Sequence, residues 1–362
     1  MTKKPGISPL ADLDPSRFET PSILKGLASA SRHLAELKGV ASSIPQAGIL
    51  VNALGMREAK DSSAIENIVT THDDLFRDAA WPESASTAAG KEVLRYGQAL
   101  RTGFDAVRER GLLTVNDILE IQRVLERNDA GFRTLPGSVL ANAAGDVVYM
   151  PPPPSDVPAL MRDLEQFING DVEFEADPLI RMALVHHQFE SIHPFYDGNG
   201  RTGRIINVLY LVAAGLLDIP ILYMSAHIVR TKADYYRLLQ SVRESDAWEA
   251  WVTYMLEAVA VTAREGIEMV GDIKRALQDA KRRIRANHRK IYSQDLINSL
   301  FSHPYTKIQF IEQELDVSRI TATRYLELLT ADGILQKQRV GRANYYINVA
   351  LTAILSAERP GG

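Results

Sequence analysis

The chain has 362 residues, enough for two or three domains. Apolar residues make up 46% and charged residues 24%, and 41 Lys/Arg against 45 Asp/Glu leave a formal charge of −4. That is an ordinary globular composition with no overall basic field to draw in nucleic acid or a membrane. The absence of cysteine excludes disulfides, thiolate nucleophiles, iron–sulfur clusters and cysteine zinc sites.

Residues 1–20 carry Pro5, Pro9 and Pro15 without apolar periodicity and read as an extended arm, with no signal-peptide core. Helical spacing of apolar residues follows over 21–37 and 44–56, and a third helix is expected from near Ser62 to Val69. Residues 81–87 read as a loop. Helical patterns resume over 92–110 and, behind an N-cap at Thr114, over 117–127. Segments 138–142 and 147–150 predict a short β-hairpin, ended by the run Pro151–Pro154. Helices are then expected over 157–169, 178–192, 201–217, 232–242 and 248–269. The longest apolar stretch, 205–217, is interrupted by Asn207 and falls short of the ~20 residues that span a bilayer. The expectation is a cytoplasmic protein with no membrane partner.

Beyond 270 the composition shifts. Residues 274–290 hold eight Lys/Arg against one acid, Asp279, on a helical pattern. Segments 295–300, 308–315 and 321–331 read as short helices, and strands 335–340 and 344–347 flank Gly341, the order of a winged helix. Arg319, Arg324, Lys337, Arg339 and Arg342 would be its phosphate contacts if it met DNA. Dimerisation or docking of a target protein is the other use of such a domain.

One segment concentrates chemistry: His193-Pro194-Phe195-Tyr196-Asp197-Gly198-Asn199-Gly200-Arg201-Thr202-Gly203-Arg204. A histidine ends one apolar helix and a glycine-bracketed loop opens the next. Gly198 and Gly200 permit a sharp turn and close approach to a ligand. Free amides and the helix dipole at the next helix start favour an anion. Arg201 and Arg204 are three apart and share a helix face. Asp197 beside a phosphate site suits Mg²⁺, and His193 suits a general base. Against this stands the bland alternative of a tight interhelical loop whose arginines pair with surface acids.

The segment matches the Fic family signature His-x-Phe-x-(Asp/Glu)-Gly-Asn-Gly-Arg-x-x-Arg at every fixed position. The resemblance extends to Ala130-Gly131-Phe132-Arg133, the run Pro151–Pro154, and Lys232, Tyr235, Tyr236, Trp248 and Glu249. It implies a mainly α fold, the Fic helical bundle with a small β-hairpin flap, accompanied by a C-terminal winged helix. The division it suggests is an N-terminal helical region over 1–100, the Fic core over 101–272, a basic linker helix over 273–290 and the winged helix over 291–362. The implied activity is AMP transfer from ATP to a Tyr, Ser or Thr hydroxyl of a target protein. His193 would take the hydroxyl proton, and Asp197 would hold Mg²⁺. The amides of Gly198, Asn199 and Gly200 with Arg201 would cradle phosphates, and Arg204 would bind the γ-phosphate. Val139 and Leu140 resemble the flap positions where a target segment docks, and Tyr235 and Tyr236 the adenine-side residues. Self-modification and a homodimer belong to the same implication.

Ser62-Ser63-Ala64-Ile65-Glu66-Asn67 resembles the family's inhibitory motif. Ser62 and Glu66, four apart, face one side of a helix, and Glu66 would pair with Arg204 as a brake. The competing readings are a DNA-binding regulator with a nucleotide-sensing Fic body, and a Fic enzyme that mainly removes AMP or transfers another phosphate-containing group. His186, His187 and His193 are spaced poorly for one metal ion and read as core histidines, as Trp248 and Trp251 read as core. Glu190 reads as structural.

Overall fold

Polar side chains start many of the helices by accepting a hydrogen bond from the first turn. Thr20 caps α1 (Pro21–Ala41), Thr71 caps α3 (His72–Ala80), Thr87 caps α4 (Ala88–Arg110), and Thr114 with Asp117 forms a capping box on α5 (Val115–Glu126). The computed structural model describes residues 7–81, 87–141, 145–340 and 343–357. The expected turn residues Pro82–Ser86, Gly341 and the basic Arg342 lie outside them.

Between α1 and α3 runs α2 (Ala47–Ile65), and here the sequence reading needs correction. Instead of a new helix beginning near Ser62, one unbroken helix reaches Ile65, because Met56–Lys60 are good helix formers and nothing stops it. Ser62 therefore sits in the last turn and Glu66 is the C-cap; Asn67, at φ 64°, turns the chain away. The arm is also not wholly extended. Two short 3₁₀ turns, Leu10–Asp12 and Pro15–Phe18, bury Leu10 and Phe18.

The flap hairpin is β1 (Leu140–Ala141) paired antiparallel with β2 (Val147–Tyr149). After it come α6 (Val157–Asn169), α7 (Pro178–Ile192), α8 (Asn199–Ala213), α9 (Ser225–Arg230) and α10 (Lys232–Ser245). Nearly every residue of α7 from Leu179 onward and of α8 up to Leu211 is buried. Helices buried on all sides form the centre of a bundle, so the loop joining α7 to α8 is anchored in the core at both ends.

Residues 248–269 and 274–290 are one element, α11 (Trp248–Asn287), of 40 residues. The sequence between the two patterns has no breaker. Ile273, Leu277, Ala280 and Ile284 carry the buried stripe through the basic segment. The boundary drawn at 272/273 thus falls inside a helix. Helix α1 packs along α11, where a side chain on Gly266 would lie 3.1 Å from Leu37.

The C-terminal part contains α12 (Gln294–Ser302), β3 (Tyr305–Thr306), α13 (Ile308–Leu315), α14 (Arg319–Ala331), β4 (Leu335–Val340), β5 (Ala343–Asn348) and α15 (Val349–Ser356). Its sheet has the order β3–β5–β4, all antiparallel, with Tyr305 opposite Ile347 and Leu335 opposite Asn348. This is the helix–strand–helix–helix–hairpin order of a winged helix. It packs on α2 and α3: Tyr305 donates to Asp73, its ring lies 5.9 Å from Phe76, and Lys307 stands 4.7 Å over the Trp81 ring. Among the described residues no helix is long and apolar enough to cross a membrane.

Candidate active site

Helix α7 ends at Ile192, and His193 takes the left-handed conformation at φ 48° while its N–H still reaches Phe189 O at 3.0 Å. That conformation costs a non-glycine residue about 1 kcal/mol. Arg133 braces it: its Nε donates to His193 O at 2.8 Å and its Nη2 to Pro152 O at 2.6 Å. The loop then closes on itself through Asn199, whose amide pairs with both Phe195 N and Phe195 O at 2.9 Å. Phe195 is buried against Phe132 and Phe189. Gly198, at φ 78°, donates its N–H to Asp197 Oδ1 at 2.7 Å and starts α8.

His193, Gly200 and Arg204 open onto one cavity of about 810 Å³. Glu66 enters it from the end of α2, Tyr235 and Tyr236 from α10, and Val139, Leu140 and Val148 from the flap. Burial pushes the His193 imidazole down to about 4, with Arg243 and Arg133 adding to the effect, so the ring is neutral and able to accept a proton. Its Nδ1 is buried without a hydrogen-bond partner among the described residues.

Arg204 is buried and held in three ways. Its Nε donates to Ser62 Oγ at 2.8 Å, and its Nη2 donates to Ser62 O and to Glu66 Oε1, each at 2.9 Å. Glu66 reaches it across the bare backbone of Gly200, where any Cβ would collide with Glu66 Oε1. Arg201 faces the other way. It is 2% exposed, paired with Glu92, with Glu126 at 2.9 Å and with Asp197 at 3.6 Å, and it does not line the cavity. Asp197 is largely exposed at the start of α8. Tyr235 is buried with its hydroxyl 2.8 Å from His186 Nε2, whereas Tyr236 is 44% exposed.

His186 and His187 are core residues, pushed down to about 3 by burial. Among the described residues no three His, Asp or Glu side chains are grouped to hold a metal ion.

Sequence reasoning missed Arg243 and Gln240 in the cavity lining and undervalued Glu190. Arg243 donates to Ser191 Oγ at 3.0 Å and to Glu190 O at 3.1 Å, and its guanidinium lies 3.9 Å over the Tyr149 ring. Gln240 Nε2 donates to Val148 O at 2.9 Å, and Tyr149 OH donates to Ser191 O at 3.0 Å, so the flap is tied to both α7 and α10. Lys232 lines the rim and donates to Asn67 Oδ1 at 3.1 Å. Glu190, read as structural, lines the cavity. No local pattern marks Arg243; only the packing of α10 on α7 brings it there.

A neutral histidine, a helix N-terminus and a buried arginine around one cavity are groups that can bind an anion and accept a proton. The Fic/DOC family model matches residues 112–211, the Fic/DOC family N-terminal model matches 24–105, and the model of the "Protein adenylyltransferase SoFic-like, C-terminal domain" matches 277–351. The chain belongs to the Fic/DOC family. It is 31% identical over 175 residues to "Protein adenylyltransferase Fic" of Aedes aegypti, covering 45% of this chain and 33% of that protein. To the protein of the same name from Drosophila willistoni it is 32% identical over 135 residues, 37% of this chain and 25% of the other. The chain thus matches about a third or less of the length of these curated relatives. A crystal structure of a Fic family protein from Desulfovibrio desulfuricans superposes with a TM-score of 0.57 at 20% identity, covering 91% of this chain and 97% of that one. Fic-1 from C. elegans superposes with a TM-score of 0.51 at 20% identity, over 68% and 72%. These likenesses establish the fold.

Proposed function

We propose that the chain transfers AMP from ATP to a hydroxyl group of a protein and that Glu66 restrains it. The observation that carries this reading is the convergence of His193, Gly200, Arg204 and Glu66 on one flap-covered cavity. In the step envisaged, neutral His193 takes the proton of a Tyr, Ser or Thr hydroxyl aligned by the flap at Val139 and Leu140. The hydroxyl oxygen bonds to the α-phosphorus, the bond to the α–β bridging oxygen breaks, and pyrophosphate leaves. The α8 amides from Gly198 to Gly200 and the Arg204 guanidinium stabilise phosphate charge; Tyr236 and the buried Tyr235 flank the adenine side. Arg201, enclosed by carboxylates, holds the loop and Asp197 in place.

Asp197 is the residue that would hold Mg²⁺, and one exposed carboxylate suits an ion that keeps waters and substrate oxygens as its other ligands. Bound there, the ion supplies charge neutralisation at the α- and β-phosphates.

The resting contact with Glu66 keeps Arg204 from the γ-phosphate. The same carboxylate offers a route to removal of AMP from a target, the second activity to be tried on any modified protein. The DNA-binding reading has less support. Arg319 lies 3.7 Å from Glu312, and Lys337 is 2.5 Å from Glu327, so two of the expected phosphate contacts are already paired with acids. Self-modification, a homodimer and a cytoplasmic location belong to the proposal.

The test is mass spectrometry of Glu66→Gly after incubation with MgATP, beside wild type and Glu66→Gly/His193→Ala. An adduct of one AMP residue on the single mutant, absent from the double mutant, is the expected result. No adduct on Glu66→Gly, even with candidate target proteins supplied, overturns the reading. Tight, salt-sensitive DNA binding that survives His193→Ala would then favour the regulator.

A further inference from the structure

Glu190 lies one turn before His193, 7% exposed, in the wall of the cavity. Its Oε1 has no hydrogen-bond partner among the described residues. Room for the carboxyl exists because residue 203 is glycine: a Cβ there would stand 3.0 Å from Glu190 Oε1. A buried, unpartnered carboxylate costs several kcal/mol, so such a group either keeps its proton or awaits a ligand. Several charged and titratable groups face it. Glu66 comes from the end of α2, Arg204 from α8, Arg243, Tyr235 and Tyr236 from α10, and His186 and His193 from its own helix. Arg204 would favour its ionisation, but Glu66 already neutralises Arg204 at 2.9 Å.

We propose that Glu190 is a nucleotide-binding residue that acts as a neutral acid, donating its carboxyl O–H to the phosphate group that occupies Arg204. An arriving phosphate brings more negative charge to this wall than Glu66 does, and a second anion beside it would be repelled. The protonated acid, by contrast, offers an O–H donor from the cavity wall. The direction of its titration agrees: burial is the main cause that pushes Glu190 up to about 7, and Glu66 adds to it. Nucleotide binding above neutral pH is therefore coupled to proton uptake from solvent. The inference rests on the nucleotide reading of this cavity and adds the proton to it.

The test is calorimetry of α,β-methylene ATP with Mg²⁺ on the full chain at pH 8, in two buffers of different ionisation enthalpy. Every protein carries Glu66→Gly so that Arg204 is open to phosphate, and wild type here means wild type at position 190. Wild type is expected to take up close to one proton per nucleotide. Glu190→Gln, which keeps a neutral donor, is expected to bind without that uptake and about tenfold tighter than wild type at this pH, the factor of one pH unit. Glu190→Ala, lacking the donor, should bind more weakly than Glu190→Gln at equal thermal stability. The nucleotide's own titration is common to all three proteins and cancels. Equal proton uptake by wild type and Glu190→Gln overturns the inference and leaves the nucleotide site standing. No binding by any of the proteins overturns the nucleotide reading and this inference with it.

Discussion

Arg204 and Glu66 stand 138 positions apart in the chain, and their side chains meet at 2.9 Å. The ion pair is buried on the arginine side and partly exposed on the carboxylate side. It forms only because Gly200 leaves the path between them empty and because α2 runs unbroken to Ile65. A charge held this way is released by removing its partner, provided another anion can take the place.

Glu66→Gly is accordingly expected to raise self-modification with MgATP by about tenfold or more, the factor that ~1.4 kcal/mol of barrier represents. Quantitative mass spectrometry of the AMP adduct measures it. An unchanged rate would remove the brake from the account.

Ser62→Ala tests the other anchor of the same arginine. The Ser62 hydroxyl accepts from Arg204 Nε at 2.8 Å in a fully buried position, and a hydrogen bond to a charged group contributes about 1.5–3 kcal/mol. The Ser62 carbonyl and Glu66 remain, so the expected rate lies between wild type and Glu66→Gly. A rate at or below wild type would mean that Ser62 only supports the fold.

Glu58 predicts a pH dependence of stability. It is buried on α2, accepting hydrogen bonds from Tyr96 OH at 3.1 Å and from the Ser225 hydroxyl, and burial chiefly raises it to about 7. The unfolded chain ionises this carboxyl near 4.5, whereas the folded chain holds the proton longer. Its contribution to stability is thus full below 4.5, declines as pH rises through that window, and is flat above about 7. The loss has an upper limit of about 3 kcal/mol. Urea unfolding of wild type and Glu58→Gln at several pH values should show a smaller decline for the variant. Parallel curves would contradict it.

Arg243→Gln is expected to loosen the flap. It removes the guanidinium over Tyr149 and the bonds to Ser191 Oγ and Glu190 O. Such a contact contributes about 1 kcal/mol, so amide exchange over 147–149 should accelerate roughly fivefold while α8 keeps its protection. Acceleration of both together would mean general destabilisation instead of a local tie.

Much of this protein is legible in its sequence. Helix lengths, caps and the glycine-bracketed loop follow from local spacing, because 3.6 residues per turn and left-handed glycine are properties of short segments. The segment His193 to Arg204 carries its chemistry within one turn and one loop, so its residue types alone point to an anion site. Two helix boundaries were misread for the converse reason: no breaker separates 56 from 62 or 269 from 274, and apolar patches of a long helix look like separate elements.

Tertiary structure decided the rest. Which way each arginine points was not readable: Arg201 and Arg204 are three apart on one helix, yet one is enclosed by Glu92 and Glu126 and the other meets Ser62 and Glu66. That difference comes from which helices pack on each side of α8. Glu190 and Arg243 joined the cavity through the packing of α7 against α10 and the flap, contacts that no short-range pattern encodes. Local sequence set the chemistry available at each turn; burial and long-range packing determined which groups keep their charge, which find a partner, and which are left facing the cavity.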